Sequence, residues 1–462
     1  MTEDTTYDVR VYRTEVYKGA KVTTYKVRWK TGHRLWKEGF RNAAHADSFR
    51  SSLLTAARKG EAFSLRTGRP ASWADGSTVS WYALTLDYFA AKWPYIAPNS
   101  RRSIAEALTD GTEAMFISED RPYAIEEIRR ALREWAFSDR MRGVTEPPDD
   151  LWEVVHWLET ATVPVTDLAR PGTGPARCRA LLQRISRRQD GTPVVPNTVN
   201  RKRAALNNLM QYAIETGILA ANPLKTVKWA RPRTLKTIDP RTVVNSEQAR
   251  RLLAAVGQQG PLGERLIAFF GCMYYAALRP EEVMGLRQSN LTSLPEQGWG
   301  ELILTSADPR TEGRWTDNGA ARQRRELKHR PPGETRMVPV HPELVVLLRD
   351  HVRMYPPGQG GRVFTGPRGG HFDRSYQRVF HQARDTAFSK GEIASLLARR
   401  PYDLRHAAVS TWLNAGVPAP QVAEWAGHGV EVLLRVYAKC IFGQQDEAKR
   451  RIEEATRPPE DQ

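Results

Sequence analysis

Residues 427–440, GHGVEVLLRVYAKC, set a histidine between two glycines and a tyrosine nine positions later, inside an apolar helical stretch. Nine residues make two and a half turns of α-helix, so a straight helix would aim His428 and Tyr437 at opposite faces. Either the two are unrelated, or a bend brings both to one place. Gly427 and Gly429 permit such a bend, because glycine tolerates the backbone angles of a sharp entry into a helix. The bland reading is a core tyrosine with a satisfied hydroxyl, which is the commoner fate of a tyrosine on an apolar face.

Two stretches upstream hold further unusual residues, each of which alone could be structural, an arginine paired with a neighbouring carboxylate being the commonest case. ALRPEEVMGL (277–286) ends an apolar helix at Arg279 and starts another at Pro280, a favoured first helical position, with Glu281 and Glu282 suiting its positive end. RPYDLRHAAVSTWLNAG (400–416) starts a helix in which Tyr402, Arg405 and His406 share a face at i, i+3 and i+4, and Gly416 ends it. Between them GELILTSA and RMVPVHP read as the strands of a hairpin, with Lys328 before the second strand.

The chain around these motifs is long, basic and divided. Its 462 residues suffice for two to four domains. The net charge is +17, and arginine, whose planar fork bonds two phosphate oxygens, suits a polyanionic partner. That charge comes in blocks: residues 1–70 carry net +8, 71–150 net −5, 151–236 net +9 and the remainder net +5. Basic blocks flanking an acidic one are what a protein gripping nucleic acid with selected faces would produce. Cys178, Cys272 and Cys440 are too few and too far apart for a disulfide framework or a zinc cluster, which fits a reducing cytoplasm. The polar, acidic start predicts no secretory leader. The longest apolar run, LIAFFGCMYYAAL, is 13 residues, too short to span a bilayer, and reads as a buried helix.

Within 8–40, Tyr25, Val27 and Trp29 alternate with Lys26, Arg28 and Lys30, giving a strand with one apolar and one cationic face before a Thr31-Gly32 turn. A helix with Phe49, Leu53, Leu54 and Ala57 on its packing side follows and closes at Lys59-Gly60. An exposed cationic ribbon can enter a DNA major groove, and an ordinary solvated strand face is the equal alternative. RTGRPASWADGS (66–77) looks like a linker. Helical patterns then run to about residue 235, clearest at 80–93, 124–137, 150–161, 176–189 and 198–219. In the last, Leu206, Leu209, Met210, Ala213 and Ile214 form one face. Arg201, Lys202 and Arg203 crowd its N-terminal end, where cations oppose the helix dipole, so phosphate contact is a candidate role for them. KWARPRTLKTIDPRTV (228–243) reads as a second linker, and Asn245 with Gln248 as a helix start after it.

Taken together, ALRPEEV, Lys328 before GETRMVPV, YDLRHAA and AGHGVEVLLRVY, in this order, resemble the tyrosine recombinases, the lambda-type phage integrases and their relatives. The resemblance covers about 200 residues, roughly 246–445. GILAANPLKTV looks like the end of that family's helical core-binding domain. The resemblance implies a multidomain, mainly α protein with α+β parts: an arm-type DNA-binding module over 1–70 (a three-stranded sheet plus helix), an all-α core-binding domain over 77–236, and an α+β catalytic domain over 243–462 ending in a tail helix, QQDEAKRRIEEA. It also implies a site-specific recombinase that acts without cofactor or metal, as a homo-tetramer on double-stranded DNA at core and arm sites, integrating or excising a phage or mobile element, with an accessory bending or directionality protein as a possible partner and no membrane. Tyr437 would attack the phosphate to give a 3′-phosphotyrosyl bond, and Arg279, Arg405 and His428 would stabilise the crowded phosphorus. Lys328 would protonate the leaving 5′-oxygen, with Arg325 and Arg330 as neighbours that a slipped alignment confuses with it.

The sequence departs from the family pattern in two places. Tyr402 stands where the second box usually begins with histidine. An imidazole accepts a proton near neutral pH, whereas a phenol, with an ordinary pKa of about 10, mainly donates a hydrogen bond. Tyr402 is therefore expected to keep only the hydrogen-bonding part of that role, and His406 beside it is given none. Residues 308–327, DPRTEGRWTDNGAARQRREL, make the hairpin tip longer than the family usually shows. Two other activities fit parts of the pattern: a type IB topoisomerase, which shares the chemistry, and a DNA-binding regulator with a decayed site, for which Tyr402 is the hint.

Overall fold

The alternation around Val27 and Trp29 forms the central strand of an antiparallel sheet in the computed structural model. The structure describes residues 5–18, 23–40, 43–65, 68–70, 79–144, 146–234, 237–328, 330–331, 333–372, 375–440, 449–450, 452–453 and 456. Strand Thr23–Thr31 pairs on one side with Arg34–Phe40, through a turn in which Gly32 adopts φ +56°. On its other side it pairs with two short strands, Val9–Val11 and Glu15–Lys18. The expected three-stranded sheet therefore has four strands, because its first ribbon is broken at residues 12–14, where the Tyr12 N–H still donates to the Arg28 carbonyl at 2.9 Å. Val27 and Trp29 are buried against Leu53 and Ala56 of the Ala43–Arg58 helix. Lys26, Arg28 and Lys30 lie on the opposite face, half-buried: Arg28 pairs with Glu15, and Lys26 lies over the Tyr17 ring. Most of the expected linker at 66–77, and most of the expected tail helix at 444–455, lie outside the described residues.

A helical unit follows. Its helices include Trp81–Lys92, Pro98–Glu113, Ile125–Ala131, Asp149–Ala161, Gly174–Ile185 and Pro196–Glu215. Pro98–Glu113 packs against the last two and lacks an apolar stripe in sequence, since it buries Ala105, Ala107, Thr109, Gly111 and Thr112 around one Leu108. Small residues let neighbours approach: a Cβ on Gly111 would lie 3.0 Å from the Trp81 ring and 3.1 Å from Leu206. Buried charges are paired, as burial demands. Asp110 meets Arg129 at 2.9 Å and also Lys202, so one cation of the 201–203 cluster is committed inside the protein. Arg203 lies over the Trp229 ring, whereas Arg201 is exposed.

The third unit opens with the predicted cap: Asn245 Oδ1 accepts from the Gln248 N–H at 2.9 Å, and Gln248 Oε1 accepts from the Asn245 N–H at 3.1 Å. Helices Ser246–Gly257 and Gly260–Tyr275 pack with Pro342–Met354 and Ser375–Ala387 around one apolar core, which also takes Leu302, Leu304, Val338 and Val340 from the sheet. That sheet is Leu291–Ser293, Gly300–Leu304 and Arg336–Val340, antiparallel throughout. Among the described residues no helix is long and apolar enough to cross a membrane.

The long hairpin tip is not a solvated loop. It crosses to the helical unit and buries Trp315 completely in that unit's core, edge-on to Phe89 with ring centroids 6.4 Å apart. Arg101, itself buried, donates to the Trp315 carbonyl at 2.8 Å and pairs with Asp317 at 2.8 Å. Trp93 Nε1 donates to Asp317 Oδ1 at 2.9 Å, and Ser138 Oγ donates to the Arg314 carbonyl at 3.0 Å. A residue of the third unit thus completes the core of the second.

Candidate active site

The bend that residues 427–440 require is present. Helix Ala419–Ala426 ends on Gly427 in the left-handed conformation (φ 64°, ψ 48°), and helix Val430–Tyr437 begins three residues later. The turn returns the chain so that the rings of His428 and Tyr437 lie 6.1 Å apart. A side chain at this left-handed corner would have to displace Arg336: a Cβ there would lie 2.2 Å from Arg336 Nη1 and 3.2 Å from Arg279 Nη1. Leu433 and Tyr437 are the residues of the short helix that point inward.

Three guanidinium groups converge on the tripeptide Ala426-Gly427-His428. Arg279 caps the Pro280–Met284 helix and donates Nη2 to the Gly427 carbonyl at 2.7 Å. Arg405, in the first turn of the Tyr402–Asn414 helix, donates to the carbonyls of Ala277 and Ala426 and to His428 Nε2, the last at 2.8 Å. Arg336 opens the strand Arg336–Val340 and lies against Gly427. All three are buried.

Glu282 ties two of these guanidinium groups, those of Arg279 and Arg336, together. Its Oε1 accepts from Arg279 Nη1 at 2.8 Å and from Arg336 Nη1 at 3.0 Å, and its Oε2 accepts from Arg336 Nη2 at 2.8 Å and from the Arg279 backbone N–H at 2.9 Å. Burial pushes the carboxyl pKa up, but the attraction of Arg336 and then Arg279 outweighs it and pulls the value down to about 2. Burial lowers the Arg405 pKa below the ordinary guanidinium value, and Arg279 adds to the fall. Arginine nevertheless stays charged throughout the working range.

Histidine protonation follows from this field. Burial first, then Arg405 and Arg279, lower the His428 pKa to about 3, so its imidazole is neutral near pH 7. Arg405 can only donate, so Nε2 of His428 accepts and its proton sits on Nδ1. That Nδ1 is buried without a partner among the described residues, as are the Nε atoms of Arg405 and Arg336. Unspent donors beside fixed positive charge make a site for an anion with several acceptor oxygens.

Tyr437 is buried, and burial raises its phenol pKa while Arg405 pulls the other way. Its hydroxyl lies 3.0 Å from Nδ1 of His406, and the two rings meet at 5.8 Å. The Tyr402 ring packs edge-on to His406 at 5.0 Å, and the Arg405 guanidinium carbon is 6.0 Å from the Tyr402 ring centroid.

Of the residues singled out in the sequence, Tyr437, Arg279, Arg405, His428 and Tyr402 share one place. Lys328 does not touch it. The lysine is exposed, next to Leu327, which is buried in the third unit's core, and no hydrogen bond or ion pair joins it to the cluster among the described residues. Arg330 is paired with Glu334, and Arg325 exchanges backbone hydrogen bonds with Ala307. Sequence reasoning missed Arg336 and gave His406 no part. Arg336 could have been found from strand parity, since Val338 and Val340 face the core and residue 336 shares their side.

No family model matches the sequence. Among curated proteins the chain is 23% identical to the tyrosine recombinase XerD of Ralstonia nicotianae over 254 residues, covering 52% of this chain and 68% of that protein. It is 25% identical to the tyrosine recombinase XerC of Bradyrhizobium diazoefficiens over 196 residues, covering 41% of this chain and 51% of that protein, about half its length. Among solved structures, the Tn1549 transposon integrase in complex with circular intermediate DNA is 15% identical and covers 71% of this chain and 99% of that one, with a TM-score of 0.46.

Proposed function

We propose, for a chain that belongs to the tyrosine recombinase family and so is a DNA strand transferase, that it is a site-specific recombinase of a phage or other mobile element, cutting and rejoining double-stranded DNA through a 3′-phosphotyrosyl bond at Tyr437. The observation that carries this reading is the Tyr437 hydroxyl held beside a buried cluster of arginines that already satisfies acceptor oxygens. A scissile phosphate would take the place of the Ala277, Ala426 and Gly427 carbonyls, its two non-bridging oxygens receiving Arg279 and Arg405. His428 Nδ1 is a further donor for the same charge. Donors fixed in advance where charge develops are worth about 10²–10³-fold each in rate. Tyr402 adds a hydrogen bond from the Arg405 side.

Lys328 would protonate the leaving 5′-oxygen. Its exposure, beside Leu327 at the end of the hairpin tip that the third unit's core holds, supports delivery of the acid when both units close on duplex DNA. Lys26, Arg28 and Lys30 on the sheet, and Arg201, Lys202 and Arg203 on the helical unit, are proposed phosphate contacts. Lys202 would first have to leave Asp110. Arm sites, a tetramer on paired sites and an accessory bending protein complete the proposal.

The test is a pool of nicked duplexes with randomised sequence around the nick, in which cleavage releases a short strand and traps the protein. The wild-type chain should form covalent adducts that Tyr437→Phe abolishes, and the recovered DNA should share one sequence. Exchange between two such sites is expected. Adducts without exchange favour a topoisomerase, and no adduct from any sequence favours a binding protein.

A further inference from the structure

We propose that His406 is the general base of strand cleavage, the group that takes the phenolic proton of Tyr437. This rests on the strand-transfer reading above. With Tyr402 at the start of the second arginine box, the base function has no holder there, because a phenol is a poor proton acceptor near neutral pH.

The geometry points to His406 by contact and by elimination. Its Nδ1 is 3.0 Å from the nucleophilic oxygen, within the range for direct proton transfer. His428 is no rival, since its Nε2 lone pair is taken by Arg405. Glu282 is locked between Arg336 and Arg279, and Asp403 accepts from the backbone N–H and the guanidinium of Arg400. Tyr402, one helical turn before His406, packs its ring against the imidazole and so fixes the ring's place.

The surroundings keep that imidazole neutral. Burial, then Arg400 and Arg405, lower its pKa to about 4. The groups facing it are Arg400, Arg405 and Tyr402 from its own segment, Tyr437 from the last helix and His428 from the turn. A phosphodiester bound to the arginines adds negative charge, which raises the basicity of His406 when the proton must move.

The step balances without a cofactor. The phenolic proton passes to Nδ1 of His406, the Tyr437 oxygen forms a bond to phosphorus, and the bond from phosphorus to the 5′-oxygen breaks with its electron pair. The 5′-oxygen takes a proton from the acid, assigned to Lys328. Rejoining reverses each transfer, with the imidazolium returning the proton to the departing phenolate.

The test is single-turnover cleavage of a duplex recovered from the trapping pool, by the full-length wild type, His406→Ala, His406→Gln and Lys328→Ala. General bases contribute about 10²–10⁴-fold, so both His406 variants should slow cleavage by that factor, and added imidazole should restore part of the rate of His406→Ala. The wild-type rate should rise with pH through the His406 ionisation, and the variants should lose that dependence. A second duplex carries sulfur in place of the leaving 5′-oxygen and needs no acid. On it Lys328→Ala should recover, while the His406 variants stay slow. Cleavage by His406→Ala within about threefold of wild type overturns the assignment, as does recovery on the sulfur duplex or failure of imidazole to raise the rate. A wild-type chain that forms no adduct contradicts the strand-transfer reading instead.

Discussion

Arg336 and Glu282 meet as a two-pronged ion pair, Nη1 to Oε1 at 3.0 Å and Nη2 to Oε2 at 2.8 Å, with both side chains buried. Because Glu282 also binds Arg279, this carboxylate ties the last strand of the sheet to the cap of the arginine's helix. Its folded-state pKa, about 2, lies below the ordinary value of 4.5. A depressed carboxyl contributes stability that is fully present above the unfolded value and is lost as pH falls through the folded one. The wild type should therefore lose stability between about pH 4.5 and 2 in denaturant titrations. Glu282→Gln should be weaker by about 3–5 kcal/mol at neutral pH, the usual result of stranding a buried charge, with the gap narrowing on acidification. A gap that does not change with pH would contradict the ion-pair account.

Gly427 should tolerate no side chain. Gly427→Ala places a Cβ 2.2 Å from Arg336 Nη1 at a left-handed backbone position. A non-glycine residue held there costs about 1–3 kcal/mol, and the displaced guanidinium no longer lines the site. Strand cleavage should fall by at least ~10²-fold while most of the fold survives. Full activity with an unchanged melting temperature would show that the turn is looser than drawn.

Trp315→Ala should damage the helical unit although residue 315 belongs to the hairpin of the third unit. Emptying a fully buried tryptophan site costs about 3–5 kcal/mol. Limited proteolysis should then cut within 308–327 and in the helical unit earlier than in the wild type. Equal protection of both would mean that the tryptophan is not the anchor.

These cases show which physical features are visible in sequence. Helix boundaries with local chemistry could be read directly: the Asn245 and Gln248 cap, Pro280 after Arg279, and the glycine bend before Val430 are set within a few residues. The alternation of Val27 and Trp29 marked a strand for the same reason. What could not be read depends on distant partners. Trp315 lies among Gly, Arg and Asp residues, with nothing nearby to say that its pocket is built from Phe89 and its neighbours. The break at residues 12–14 depends on pairing with a strand that follows it. The Pro98–Glu113 helix buries small and polar residues, so periodicity of large apolar residues misses it. His406 was visible as a residue, but the contact that gives it a role is made by a side chain 31 positions away.

Tyr402→His should leave strand cleavage intact or make it faster, because an imidazole at that position could share the proton held by His406. Rates of adduct formation at several pH values measure this. A loss of about 100-fold would show that the phenol itself makes a contact the reaction needs.

The most direct measurement is the identity of the amino acid joined to DNA. After trapping on a nicked duplex, protease digestion and mass spectrometry of the nucleotide-bearing peptide should place the phosphate on Tyr437, within the Val430–Tyr437 helix. A phosphate on any other residue, or an adduct that persists in Tyr437→Phe, would contradict the account.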